Sequence, residues 1–338
     1  MPIKSYKCPS CGAPISFNPE LNKFKCEYCL KEYTVEEIEK YNQEEVHGEG
    51  EFVSYHCNNC GATVVTDDTT TATFCYYCHS PVIISSRLKQ FKPDKMIPFS
   101  IDKETARKKF LDWAGKKKFV PDDFYSESQL EKITGIYLPY WWANCKLDFD
   151  YVGEGINIRV WRVGDREYTE TKKYEIVRRG NVDVNNIGEL AFTKIDKSLL
   201  DGIQPYNEKE VKKFSMPYLS GFFAEQYDVE KEKVAPKIEE KIKSYARNVI
   251  DQSISGYSTV REKKKDFRMS IKNWSYTLLP AWILTYIYKG KTYVYAVNGQ
   301  TGKSFGELPF CKEKALKASG IVFAITFVIL LLGGWLIW

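Results

Sequence analysis

Eight of the ten cysteines in this chain stand in Cys-x2-Cys pairs, and the pairs themselves repeat. Cys8 and Cys11 precede Cys26 and Cys29; Cys57 and Cys60 precede Cys75 and Cys78. Fourteen residues separate the two pairs of each set, and every cysteine of the second set lies 49 residues after its counterpart. This is metal-ligand spacing. Zn2+ accepts four thiolates tetrahedrally, and a closed four-cysteine set leaves no position for water. The repeat predicts two structural Zn2+ ions, one held by Cys8, Cys11, Cys26 and Cys29 and one by Cys57, Cys60, Cys75 and Cys78. A unit of about 30 residues buries too little core to fold alone, so the metal supplies its folding energy.

Gly12 and Gly61 follow the first Cys-x2-Cys pair of each set, where a tight turn needs positive φ. Leu30 and His79 follow the second pairs, where glycine would be expected. Between the pairs, 15–18 and 23–25 read as a hairpin around Asn18-Pro19-Glu20, and 64–65 and 72–74 as another around Asp67-Asp68. All three histidines (His47, His56, His79) fall in this region. With four cysteines filling each site, they are left as surface groups or neighbours of the ligands.

Charge divides the chain. Residues 1–84 hold 6 Lys/Arg against 12 Asp/Glu, which leaves 43 against 32 for the remainder. Two zinc tetrathiolate centres make the acidic head more negative still. Nucleic-acid binding requires phosphate neutralisation by Lys and Arg, so an acidic head argues against nucleic acid and for a protein partner.

Residues 318–338 carry no charge, and Lys312, Lys314 and Lys317 precede them. As a helix, this stretch would span about 31 Å, the thickness of a bilayer's hydrocarbon core. The sequence predicts a single C-terminal transmembrane helix inserted as a tail anchor. The lysines place the bulk of the chain on the cytoplasmic side. Met1–Lys7 lacks the apolar stretch of a signal peptide. The predicted localisation is the cell membrane, with the lipid bilayer as a partner through 318–338.

The fold class expected is α+β: zinc ribbon 1 over 1–33, an acidic linker over 34–52, zinc ribbon 2 over 53–84, a basic body over 85–311 with an antiparallel sheet, and the basic flank and membrane helix over 312–338. Within the body, helices are read over 102–113 and 236–250, and a short one over 35–41 in the linker. Aromatic and β-branched residues mark strands over 137–151, 157–163, 168–178, 181–184, 257–260, 267–274, 278–288 and 292–297. Leu138-Pro139-Tyr140-Trp141-Trp142 is echoed 141 residues later by Leu279-Pro280-Ala281-Trp282-Ile283. Two related β units and a chance match are both open at this point.

No catalytic or cofactor-binding residues are identified. The body contains no histidine, and 299–304 (Gly-Gln-Thr-Gly-Lys-Ser) lacks the first glycine of a phosphate loop and no helix is expected after it. Cys145 reads as a buried packing thiol. Lys116–Lys118 and Lys263–Lys265 are basic clusters.

Each cysteine set resembles a TFIIB-type zinc ribbon. Taken with Ile97-Pro98-Phe99, Tyr137-Leu138-Pro139-Tyr140-Trp141 and 297–303 (Val-Asn-Gly-Gln-Thr-Gly-Lys), the whole layout resembles a family of Firmicute TFIIB-type zinc-ribbon membrane proteins. That resemblance implies a non-enzymatic, membrane-anchored adaptor of the envelope-stress response, which recruits SPFH-domain and PspA-type proteins. The alternative function is a nucleic-acid-associated factor of replication or transcription.

Overall fold

The computed structural model describes residues 3–4, 6–42, 54–56, 63–65, 70–74, 80–84, 92–121, 133–289 and 291–337. After β1 (Ile3–Lys4), the first cysteine set surrounds a small antiparallel sheet of β2 (Ser16–Asn18), β3 (Lys23–Lys25) and β4 (Glu32–Tyr33). Helix α1 (Val35–Tyr41) follows where expected. Its Thr34 hydroxyl accepts from the Glu37 N–H, and the Glu37 carboxylate accepts from the Thr34 N–H, a reciprocal capping box.

Next, β5 (Ser54–His56) pairs with β6 (Thr63–Val65), and β7 (Thr70–Phe74) with β8 (Pro81–Ile84). The hairpin expected between 64–65 and 72–74 is thus replaced by two others. The reason is burial: Thr70–Thr73 are buried because β7 is drawn into the large sheet of the body.

The body runs β9 (Lys95–Met96), α2 (Lys103–Gly115), β10 (Thr134–Val163), β11 (Arg166–Leu190), α3 (Lys197–Gly202), β12 (Lys212–Lys213), β13 (Phe223–Glu225), α4 (Lys231–Gln252), β14 (Thr259–Tyr288), β15 (Lys291–Asn298), β16 (Ser304–Gly306) and α5 (Lys312–Ile337). Asp102 caps α2 as predicted, accepting from the Thr105 N–H at 2.7 Å. Helix α4 starts at Lys231, earlier than the predicted 236–250, with Pro236 inside it. Among the described residues, the main sheet orders its strands β1-β8-β7-β13-β10-β14-β15-β16, with β11 beside β10 and β9 beside β14.

The α+β expectation is corrected. Strand outweighs helix, 44% against 27%, and the large sheet is mixed rather than antiparallel. Segments read as separate strands fuse into continuous ones, with β10 and β14 each running 30 residues. The gaps left between the predicted strands hold glycines that are sites of close ring approach. A Cβ on Gly155 would lie 2.4 Å from the Tyr257 ring, and one on Gly180 3.1 Å from Phe149. The strands continue beneath these rings.

The 141-residue echo is a structural repeat. Leu138 faces Leu279 across the β10–β14 pairing, and the two units cross there antiparallel. Met96 in β9 pairs parallel with Leu278, and Ala224 in β13 pairs parallel with Tyr137. Each lead strand therefore lies on the long strand of the opposite unit. Lys103 opens α2 seven residues beyond Met96, and Lys231 opens α4 seven beyond Ala224. The tryptophans complete the exchange. Trp141 Nε1 donates to the Val229 carbonyl at 2.9 Å, and Trp282 Nε1 donates to the Ile101 carbonyl at 3.2 Å. Tyr227 packs on Trp141 and Phe99 on Trp282, with ring centroids 4.9 and 5.1 Å apart.

Helix α4 is held on β11 by Glu189. This carboxylate is 1% exposed and ion-paired with Lys241 at 2.5 Å, Lys197 at 3.5 Å and Lys237 at 3.9 Å. A buried carboxylate needs such company.

The predicted membrane helix and single-pass localisation are also corrected: among the described residues, no helix is long and apolar enough to cross a membrane. Helix α5 opens with Lys312, Glu313, Lys314 and Lys317, and its described side chains end at Leu330. The side chains of 331–338 lie outside the described residues.

The swapped tryptophans give a direct test. Trp141→Phe and Trp282→Phe each leave one carbonyl without its donor. Each is expected to lower unfolding stability by about 1–3 kcal/mol, read as a shift in urea midpoint at unchanged slope.

Candidate metal centre

The ribbon is built by two matching turns. In the first, the Cys8 N–H donates to Ala13 O at 2.8 Å and the Gly12 N–H to Cys8 O at 2.9 Å. In the second, the Cys26 N–H donates to Lys31 O at 3.0 Å and the Leu30 N–H to Cys26 O at 2.9 Å. Both turns close on a residue at positive φ: Gly12 at 72° and Leu30 at 60°. The turn survives the missing glycine, with a leucine held in the left-handed region.

These turns bring four sulfurs together. The Sγ atoms of Cys8, Cys11, Cys26 and Cys29 all lie within 4.8 Å of one another, with Cys8–Cys29 and Cys11–Cys26 at 3.5 Å. Four thiolates at about 2.3 Å from a central Zn2+ stand about 3.8 Å apart, so the cluster fits a tetrahedral metal ion. Among the described residues, it is the only group of three or more Cys, His, Asp or Glu side chains with such spacing. Cys8 and Cys26 are buried, Cys29 is half-buried and Cys11 is exposed.

The electrostatics of the four thiols also call for a cation. Burial works to raise the Cys8 thiol. The N–H groups of Cys11 and Ser10 and the side chains of Tyr33 and Cys29 outweigh burial and bring it down to about 6. At Cys11, hydrogen bonding at Ala13 favours the thiolate. Desolvation and the neighbouring thiols Cys26, Cys8 and Cys29 prevail and push it up to about 12. Four adjacent thiols cannot all ionise unaided, and a dication removes that conflict.

Two residues beside the ligands escaped the sequence reading. The Tyr33 hydroxyl lies 3.7 Å from Cys8 Sγ and donates to Ser10 Oγ at 2.6 Å. The available signal was position: Tyr33 stands four residues after Cys29 and pairs with Phe24 across the sheet.

The remaining predicted features separate. Cys57, Cys60, Cys75 and Cys78 lie outside the described residues, as do His47 and His79. Cys145 is buried in the main core, with its thiol raised by desolvation. The 299–304 segment is a turn: Asn298 Oδ1 accepts from the N–H groups of Gln300 and Thr301, each at 2.9 Å. Lys263–Lys265 each meet an acid: Lys263 meets Glu154 at 3.2 Å, Lys264 meets Asp266 at 2.8 Å, and Lys265 meets Glu262. Lys116–Lys118 follow α2 and are exposed.

A comparison with known proteins finds similarity to the uncharacterized protein YdjG of Bacillus subtilis (strain 168). Identity is 34% over 338 residues, covering 98% of this chain and 99% of that protein. No protein-family model and no solved structure matches.

Metal binding at this cluster is tested by Cys26→Ser, which is expected to lower bound metal by one equivalent per chain in elemental analysis. Metal-held thiolates sit below the ordinary cysteine value. Metal-derived stability is therefore full at higher pH and lost as protons displace the ion. Acidification should release metal to a chromophoric chelator.

Proposed function

This chain belongs to the family of Bacillus subtilis YdjG, and from that premise we propose that it is a non-enzymatic zinc-ribbon adaptor. Two structural Zn2+ ions would be held by Cys8, Cys11, Cys26 and Cys29 and by Cys57, Cys60, Cys75 and Cys78. The first ribbon would present its second turn to a protein partner. The resemblance carried by the ribbon and body motifs supports a place in the envelope-stress response, with SPFH-domain and PspA-type proteins as the partners recruited.

One observation carries the reading. Leu30 occupies the left-handed region at φ 60°, where the matching turn uses Gly12, and its side chain is 69% exposed. Its neighbour Tyr28 is 77% exposed. A left-handed non-glycine residue costs about 1–2 kcal/mol. Burial within the ribbon returns almost none of that, because the side chain faces solvent. Strain kept without a folding return points to a contact made elsewhere. The sulfurs of a closed four-cysteine set stay occupied, so the apolar tip, and not the metal, is the contacting surface. Lys4, Lys7, Lys23, Lys25 and Lys31 stand against Glu20, Glu27 and Glu32 in this ribbon, and the formal negative charge of a zinc tetrathiolate would offset the lysine surplus, so the ribbon offers no excess of positive charge to phosphates.

The test pairs recruitment with metal content. Full-length protein is co-expressed with SPFH-domain and PspA-type proteins and recovered through a tag. Tyr28→Ser with Leu30→Ser should lose the partners while zinc stays at two equivalents per chain. Unchanged partner recovery would overturn the proposal. Leu30→Gly should also lose partners, yet stabilise the metal-bound ribbon by about 1 kcal/mol, seen as slower zinc release to a chelator.

A further inference from the structure

We infer that the groove between the C-terminal end of α2 and the segment entering α5 binds a single-chain lipid with an anionic head. The groove has a volume of about 520 Å3, and Trp113, Phe119 and Phe310 line it together with Lys116, Lys117 and Lys118. This size falls in the range of small-molecule sites.

The walls are fixed by the chain around them. The Cys311 N–H donates to Phe119 O at 2.7 Å, and Lys314 Nζ donates to Val120 O at 2.8 Å. These bonds join the segment before α5 to the segment after α2. Phe119 and Phe310 face each other with centroids 5.9 Å apart, and both remain exposed, at 36% and 63%. Trp113 is anchored from behind by Tyr295 at 4.8 Å.

Charge selects the head. The lining holds three lysines and no acidic residue. Among the described residues, none of the three is ion-paired, and Lys117 Nζ sits 5.3 Å over the Trp113 ring. The other lysine cluster, Lys263–Lys265, is matched with carboxylates one for one. The groove's cations are thus available to an anion.

The rest of the lining selects the tail. Apart from the lysines and the Trp113 indole, no lining side chain donates or accepts a hydrogen bond. A nucleobase or peptide backbone would bury polar groups without partners there, which costs binding energy. An acyl chain has none to satisfy. One anionic group next to one apolar chain matches a lining made of lysines and aromatic rings.

The experiment uses full-length protein and displacement of fluorescent cis-parinarate, with competitors below their micellar concentrations. Oleate should displace the probe. Monoolein, neutral with the same chain, should do so about tenfold more weakly, and inorganic phosphate should not displace it. Replacing all three lysines, K116Q/K117Q/K118Q, should weaken oleate about tenfold, the scale of a few solvent-screened charge contacts, and leave monoolein unchanged. Phe310→Ser should weaken both lipids. These lysines and Phe310 are exposed, so the variants keep the fold, checked by an unchanged urea midpoint. Equal affinity for oleate and monoolein, displacement by phosphate, indifference to the lysine replacement or indifference to Phe310→Ser would each overturn the proposal.

Discussion

The antiparallel crossing of β10 and β14, locked by the exchanged hydrogen bonds of Trp141 and Trp282, is the constraint on which the rest of the body depends. Each indole reaches the carbonyl just before the helix of the other unit. Each helix in turn lies on the other unit's hairpin: α2 places Phe110 and Trp113 against Tyr295 of β15, while α4 is held to β11 through Glu189. Neither unit can cover its own sheet face. The body therefore gains its core only when both halves are present, and the cost of ordering each is met by contacts with the other.

That body also positions the ribbon. The Phe17 ring meets Tyr218 at 4.9 Å, the Phe17 N–H donates to Ser220 O at 3.1 Å, and Ser220 Oγ donates to Ile15 O at 3.0 Å. The hairpin side of the ribbon is thus packed against the body, while the turn bearing Tyr28 and Leu30 remains exposed. A metal would fix the ribbon's internal geometry, and the body fixes its orientation. Both are needed for an exposed apolar tip to act as a defined surface rather than a frayed end.

The cysteine spacing was legible because metal geometry leaves few alternatives, and the sulfurs of Cys8, Cys11, Cys26 and Cys29 do converge. The caps at Thr34 and Asp102 were legible because a hydroxyl or carboxylate at a helix start acts within three residues. Long-range pairing was not. Nothing local at Thr70–Phe74 says that this segment leaves its cysteine unit to pair with β13. Gly155 and Gly180 fall in the gaps between the strands predicted from sequence, and their reason for being glycine, a ring lying over the strand, belongs to residues distant in sequence or on a neighbouring strand. Leu30 showed only as a missing glycine; its positive φ and its exposure together are what give the substitution meaning.

The repeat also explains why the groove exists in one half only. By the register that matches Lys103 with Lys231, Lys116 corresponds to Ser244, which lies inside α4. There the helix continues to Gln252 and sets Ile250 into a closed cluster with Tyr151 and Ile176. In the other half, α2 stops at Gly115, and the next three residues are lysines. The longer hairpin β10–β11 needs the longer helix to cover it, whereas the short hairpin β14–β15 does not. Shortening the helix over a short hairpin would be enough for folding, but it does not account for exposed aromatic rings beside three lysines that, among the described residues, are not ion-paired. Where two halves share one architecture, the features that folding does not require stand out by comparison with the half that lacks them.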